Sequence, residues 1–274
     1  ALFGCEEEEP DYGMDTFAPA VYSEVTQSLD RFQYNPERVR VGTVYHYQKS
    51  GITNTWGATL DVYQLNETTI ESFKKYSSGS TYVVAGDFDS TLMSFVKQTL
   101  YNLDKSGRVE SHNFSKVAGR DEFILYDILE QTQSITPVGH YPVFDYSYDS
   151  NGIVFLLPHL IDPTSSFEIG MFYVNINIDD KAMIYTGKVQ ISYQYETSDP
   201  KEGCLQAPCL KYSITGEGMM NRQGFLLTNK DQGYVEYMQI PLQNNPTMDG
   251  FILQLNGMSE MTQPQWQAHI EKNR

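Results

Sequence analysis

The sequence predicts a mainly β (α+β) fold, a large curved antiparallel sheet wrapping one or two amphipathic helices. Three observations predict it. Apolar and polar residues alternate along several stretches of the second half of the chain. Short polar turns separate those stretches at hairpin spacing. Tyr 20 and Phe 14 against Trp 2 favour strands and half-wetted surfaces over helical bundles.

Taken in order, "RVRVGTVYHYQ" and "WGATLDVYQL" pair as a hairpin across "KSGITNT". "NETTIESFKKYS" reads as a short helix starting at Asn66. "TYVVAGDFDS" is a buried strand ending in acidic residues. Ser90 to Leu103 then carries Leu92, Phe95, Val96, Thr99, Leu100 and Leu103, one apolar stripe at helical spacing. In "MFYVNINIDDKAMIYTGKVQISYQYE", Phe172, Val174, Ile176 and Ile178 alternate with polar neighbours up to a turn at Asp179-Asp180-Lys181. Val189, Ile191, Tyr193 and Tyr195 alternate on the way back, completing a hairpin with one buried face. "GFLLTNKDQGYVEYMQI" repeats the pattern around Asn229–Gly233, "DGFILQLNG" adds a strand, and "TQPQWQAHIEK" a terminal helical turn. The spacing is that of a meander of about eight to ten strands. Nothing resembles a linker between 40 and 258, and no internal repeat is visible. The chain divides into 1–4, an acidic segment 5–35, one β-rich domain 36–258, and a tail or short helix 259–274.

Charge excludes one class of partner. The formal net charge of −16 would be repelled by phosphate backbones, and no Lys/Arg cluster overrides it, so no nucleic-acid partner is expected. No stretch approaches the roughly 18 consecutive apolar residues of a membrane helix, so attachment to a membrane would have to be covalent. "Leu2-Phe3-Gly4-Cys5" resembles the lipobox of bacterial lipoproteins, with Phe3 bulkier than usual at its position. The resemblance implies that residues 1–4 are a signal-peptide remnant and that acylated Cys5 anchors the mature chain. The acidic, Pro-containing run "EEEEPDYGMD" then reads as a tether, or as a solvated linker with no message. The implied address is the bacterial outer membrane, on its periplasmic side or at the cell surface. Cys204 and Cys209 in "KEGCLQAPCLK" are close enough to bridge a small loop. One lipidated cysteine and one disulfide account for all three cysteines, which suits an oxidising compartment. Zinc is the weaker alternative, because no second Cys or His pair sits nearby.

"Asp87-Phe88-Asp89-Ser90-Thr91" resembles the first motif of haloacid-dehalogenase-type phosphatases. The resemblance implies Asp87 as nucleophile and Asp89 as general acid. That family needs a parallel sheet with helical crossovers, whereas residues 140–256 read as strand after strand. The competing reading makes Asp89 the N-cap of the Ser90–Leu103 helix, and it is preferred. "DYSYDSNG" at 145–152 offers oxygen ligands at loop spacing but lacks the downstream bidentate acid of a calcium site, so it reads as a turn. His46, His112, His140, His159 and His269 show no ligand spacing. No P-loop, dinucleotide or G-x-S-x-G motif is present, so neither a cofactor nor an enzyme is expected.

The order of hairpins, helix, then more hairpins resembles the half-barrels of LolA/LolB-type lipoprotein-carrier domains. In those a curved sheet closes over helices around an apolar cavity. The resemblance implies a cavity lined by Val174, Ile176, Ile191 and Tyr193, with Leu92, Phe95 and Val96 on a helical lid. The alternative is that these residues fill a core. The expected function is thus a lipid-anchored binding or assembly module, for an apolar ligand or an envelope protein. A surface glycan- or protein-binding module is the alternative, and a phosphatase the last.

Overall fold

The computed structural model describes residues 26–53, 55–118, 122–145, 151–175, 182–219, 222–245 and 248–274. Cys5 with its flanking sequence, Ile176 and the Asp179–Lys181 turn lie outside these.

The chain folds into antiparallel hairpins one after another. After β1 (Thr26–Gln27) come β2 (Thr43–Ser50), β3 (Gly57–Gln64), β4 (Thr69–Tyr76), β5 (Thr81–Asp89), β6 (Ser94–Leu103), β7 (Val109–Ala118), β8 (Glu122–Asp127) and β9 (Thr132–Pro137). Two short strands, β10 (His140–Tyr141) and β11 (Val143–Asp145), lead into helix α1 (Asn151–Leu156). A second meander follows, of β12 (Phe167–Asn175), β13 (Ala182–Thr197), β14 (Cys209–Thr215), β15 (Gly224–Asn229), β16 (Val235–Asn245) and β17 (Met248–Glu260). Helix α2 (Gln263–Asn273) ends the chain. Among the described residues one sheet of 15 strands runs β11 through β17, then β2 through β9, because β17 pairs with β2 and joins the two meanders. Only β11–β12 in that sheet is parallel, as is the separate β1–β10 pair. The mainly β, curved-sheet expectation holds.

Register shifts mark where the sheet bends. They fall in β12–β13, β13–β14, β15–β16, β16–β17, β17–β2 and β5–β6, among others. Each extra residue kinks its strand and increases the local twist. The sheet curls until β8 and β9 lie against β13. Its inner face carries Tyr47, Leu60, Val62, Ile70, Val84, Phe95, Phe123, Leu125 and Ile191. All six residues of α1 are buried, and α1 packs on β4, β5, β6 and β11. Phe155 of α1 stacks on Phe88 with ring centroids 4.5 Å apart. The segment 151–160 is therefore a plug inside the curled sheet.

Two expected helices are strands, for physical reasons. Residues 66–77 form a turn and β4: Asn66 Oδ1 accepts the amides of Thr68 (2.9 Å) and Thr69 (2.8 Å), and a β-branched run follows. Ile70 points inward while Phe73 lies outward beneath α2. A strand covered on both faces loses its alternation, and the residue spacing of three reads as helical. In β6, Asp87 pairs with Lys97 but Phe88 pairs with Phe95, so Val96 is the extra residue of a bulge. That slip puts Phe95 and Gln98 on one face three residues apart. The stripe from Leu92 to Leu103 is a bulged strand and not a lid.

The folded body also begins earlier than residue 36. Phe32 is buried, bridges Leu160 and meets the Phe167 ring edge-on at 5.2 Å. At the other end, β17 runs to Glu260 and α2 docks on the outer face of β3 and β4. Trp266 is fully buried there, stacked on Tyr63 at 5.0 Å, and its Nε1 donates to Glu71 at 2.7 Å. Thr262 and Gln265 cap the start of α2 with a reciprocal capping box. No helix of the described residues is long and apolar enough to cross a membrane.

Candidate functional site

Among the described residues expected to line an apolar cavity, several sit in packed core. Phe95 is stacked on Phe123 at 4.8 Å, and Ile191 is part of the same packed core. Leu92 and Tyr193 pack against that core from its margin, and Val96 is half-buried at the bulge. Val174 is on β12, and its side chain lies outside what the structure describes. The interior that Phe95 and Ile191 share is occupied by the plug.

Asp87 and Asp89 are brought together on β5 but are engaged separately. Asp87 Oδ1 accepts from the Thr69 hydroxyl at 2.8 Å. Asp89 Oδ1 accepts the amides of Thr91 (2.7 Å) and Leu92 (2.8 Å). Asp89 thus satisfies backbone N–H groups, as a cap does, but in the β5–β6 hairpin turn and not at a helix. The parallel crossover sheet of the phosphatase family is absent from the described fold, which is antiparallel at these strands. Asn151 and Gly152, expected in a turn, open α1.

Cys204 and Cys209 form the expected disulfide, with Cα atoms 5.9 Å apart. It closes the connection between β13 and β14, and that connection folds over the outer face of the sheet. Buried Glu236 holds it there, accepting the amides of Leu205 (2.6 Å) and Gln206 (2.9 Å). Tyr234 donates to Gln206 Oε1 at 2.7 Å. Gly203 has φ +98, and a Cβ there would come within 2.8 Å of the Tyr237 ring. Only glycine permits both the left-handed turn and this close approach.

Where the loop meets the sheet lies a groove of about 240 Å³ lined by Pro200, Lys201, Glu202, Gly203, Lys211, Phe225, Leu227, Tyr237, Gln239 and Gln254. Its strand residues come from β14, β15, β16 and β17 and share one face because they pair directly: Lys211 with Leu227, Leu227 with Tyr237, and Tyr237 with Gln254. Lys211 Nζ donates to Tyr195 Oη (2.8 Å) and approaches Glu202 Oε1 (3.4 Å), while Tyr195 donates to Glu202 at 2.9 Å. The Tyr195 hydrogen bond is the main cause that raises the Lys211 pKa above its ordinary value. The bond from Tyr195 chiefly lowers that of Glu202. Both stay charged around neutral pH. Lys211 also stands over the Tyr195 and Phe225 rings, 5.1 and 5.6 Å from their centroids. Tyr237 donates to Gln239 Oε1 at 3.1 Å. The groove offers aromatic faces, amides and a paired cation and anion.

The histidines divide. His159 is buried at the end of the plug, and burial pulls its pKa down to about 4. His140 is buried, with the same cause lowering its pKa. His112 lies edge-on to Tyr101 at 5.3 Å. His46 and His269 both reach Asp61, a meeting that spacing along the chain does not reveal. Lys211, Tyr237 and Gln254 were equally hidden, since only the strand register aligns them.

No family model matches the chain, and no curated protein matches it. Two solved structures are similar in part. One is a β-barrel-like protein of a domain of unknown function from Brucella abortus, at 6% identity and a TM-score of 0.48, covering 80% of this chain and 98% of that one. The other is a hypothetical protein from Chlamydia trachomatis, at 9% identity and a TM-score of 0.27, covering 83% and 92%. Neither name carries a function.

Proposed function

We propose that this protein is a binding module tethered to the bacterial envelope, taking a glycan in the groove beside the disulfide loop. The observation that carries this reading is the groove's lining. The rings of Phe225 and Tyr237 supply faces for sugar C–H groups. Gln239, Gln254, Lys211 and Glu202 supply fixed donors and acceptors for hydroxyls. At about 240 Å³ the groove is smaller than the ~300–1,000 Å³ of a drug-sized site, which suits a single sugar ring of a longer chain. A site on the outer face fits the filled interior, where an acyl chain would have to displace the plug. Tyrosine fluorescence of the full chain, titrated with neutral and acidic oligosaccharides, tests the proposal. Saturable binding lost in Tyr237→Ala and Lys211→Met supports it. Binding unchanged in both, or co-purifying lipid in place of glycan affinity, argues against it.

The anchor in this proposal is an acyl chain on Cys5, supported by the lipobox-like Leu2–Cys5 and the acidic tether. Detergent partitioning of the native protein against Cys5→Ala checks it. Both forms in the aqueous phase would remove the anchor without touching the groove.

A further inference from the structure

On the outer face of β17, β2 and β3 a serine, a histidine and an aspartate stand in one hydrogen-bonded line. Ser259 Oγ is 2.8 Å from His46 Nε2, and His46 Nδ1 is 2.7 Å from Asp61 Oδ1. The strand register makes them neighbours: His46 pairs with Asp61 on β3 and with Gly257 on β17, two residues before Ser259. A fourth group locks the line. His269 of α2 places Nε2 2.7 Å from the second Asp61 oxygen, and Asn273 Nδ2 lies 3.3 Å from His269 Nδ1.

The proton positions follow from chemistry. An ionised carboxylate only accepts, so the nitrogens facing Asp61, His46 Nδ1 and His269 Nε2, carry hydrogens. Neutral His46 then has a lone pair at Nε2 and accepts the Ser259 hydroxyl. Burial pushes the Asp61 carboxyl up, but the hydrogen bonds from His46 and His269, joined by their charge when they are protonated, outweigh it and leave its pKa below the usual value. The Asp61 side chain is 15% exposed and that of His46 32%, so the orienting acid is sheltered while the base is reachable. Ser259 is half-buried, and the sheet beside it is open: a Cβ placed on Gly257 would meet nothing within 4 Å.

We propose that Ser259 is a nucleophile activated by His46, with Asp61 as the positioning residue, and that the site transfers acyl groups from activated esters. The step balances as follows. Ser259 Oγ attacks the ester carbonyl carbon as its proton passes to His46 Nε2. The tetrahedral intermediate collapses, the C–O bond to the leaving alcohol breaks, and His46 returns the proton to that oxygen. Water, deprotonated by His46, attacks the acyl-serine carbonyl; the C–O bond to Ser259 breaks, His46 returns the proton to Oγ, and the carboxylic acid leaves. Nucleophile, base and orienting acid are recognised by these mutual distances and not by order in the chain. General-base assistance contributes about 10²–10⁴-fold. That magnitude sets the substrate class, because it is enough for an activated ester and far too little for an amide. The inference does not rest on the groove: it adds an activity to a binding module.

The test uses the full chain and a fluorophosphonate probe, with peptide mapping of the adduct and p-nitrophenyl acetate hydrolysis as the second readout. Ser259 should carry the adduct, and labelling should be at least about 100-fold slower in His46→Gln. Ser259→Ala should abolish hydrolysis with an unchanged melting temperature. Asp61→Asn should lower kcat with little change in KM, a split that loss of a purely structural contact does not produce. Folded wild-type protein with no adduct on Ser259 overturns the proposal, whatever the variants do. So does equal labelling of a folded His46→Gln, which would leave the line as a fastening between α2 and the sheet.

Discussion

Truncating the plug tests whether the curled sheet encloses a core or a chamber. Phe155 is 2% exposed, stacks on Phe88 at 4.5 Å and meets the edge of His159 at 5.2 Å. Phe155→Ala removes the ring's transfer free energy and leaves a cavity that a β framework closes only in part, about 3–5 kcal/mol in all. Roughly 0.5–1.5 kcal/mol beyond area burial comes from the stacked pair. At about 2–4 °C per kcal/mol for a chain of this size class, the midpoint should fall by about 6–20 °C. Urea denaturation should show the same loss as a lower midpoint at an unchanged slope, which keeps the effect in the folded state. A solvated chamber behaves differently, because a ring already facing water has little transfer energy to lose. A cost under about 1 kcal/mol would mean that the plug does not sit in a packed interior.

Other perturbations have equally definite outcomes. Asp89→Ala should cost about 1 kcal/mol by leaving the Thr91 and Leu92 amides unpaired in the β5–β6 turn, and Asp89→Asn clearly less, read from melting curves. Burial raises the Glu71 pKa above its ordinary 4.5, with the Trp266 bond opposing and Asp87 adding to the rise. Between 4.5 and that raised value the folded chain binds more protons than the unfolded one, so this group's contribution falls as pH rises through the window. Glu71→Gln, whose amide oxygen can still accept from Trp266, should flatten the fall seen in wild-type stability scans from pH 4.5 upward. Gly203→Ala should destabilise the disulfide loop and weaken groove binding together, because the new methyl strikes Tyr237. Calorimetric titration of the variant separates this from a global loss of fold.

How far the sequence was legible depends on which face each strand buries. The β12–β13 and β15–β16 hairpins and the β2–β3 pair were visible because one face is apolar and their turns are polar. β4 and β6 were not. β4 is covered on both faces, and the Val96 bulge changes the phase of β6 from two to three. The inner face also carries buried Gln98, Asn102 and Asn113, which interrupt the apolar pattern where a core strand should show it. α1 is only six residues long and buried all round, so it has no amphipathic stripe to find. Asp89 shows that residue chemistry can be legible when context is not, since an acid followed by unpaired amides served a turn as well as a helix. The Cys204–Cys209 bridge was readable because both partners are local. Neither the groove nor the Ser259–His46–Asp61 line was, because both are assembled by pairing strands more than a hundred residues apart or by register alone.

In the proposed reading, ligand binds outside the sheet, beside the disulfide loop, and not within it. Amide chemical-shift mapping during titration with a neutral oligosaccharide tests this most directly. Perturbed amides should cluster at Lys201–Gly203, Lys211, Phe225, Leu227, Tyr237, Gln239 and Gln254, the residues around the groove. Shifts confined to interior positions such as Val84, Phe95, Phe123 and Ile191 would contradict it and place the ligand where the plug now sits.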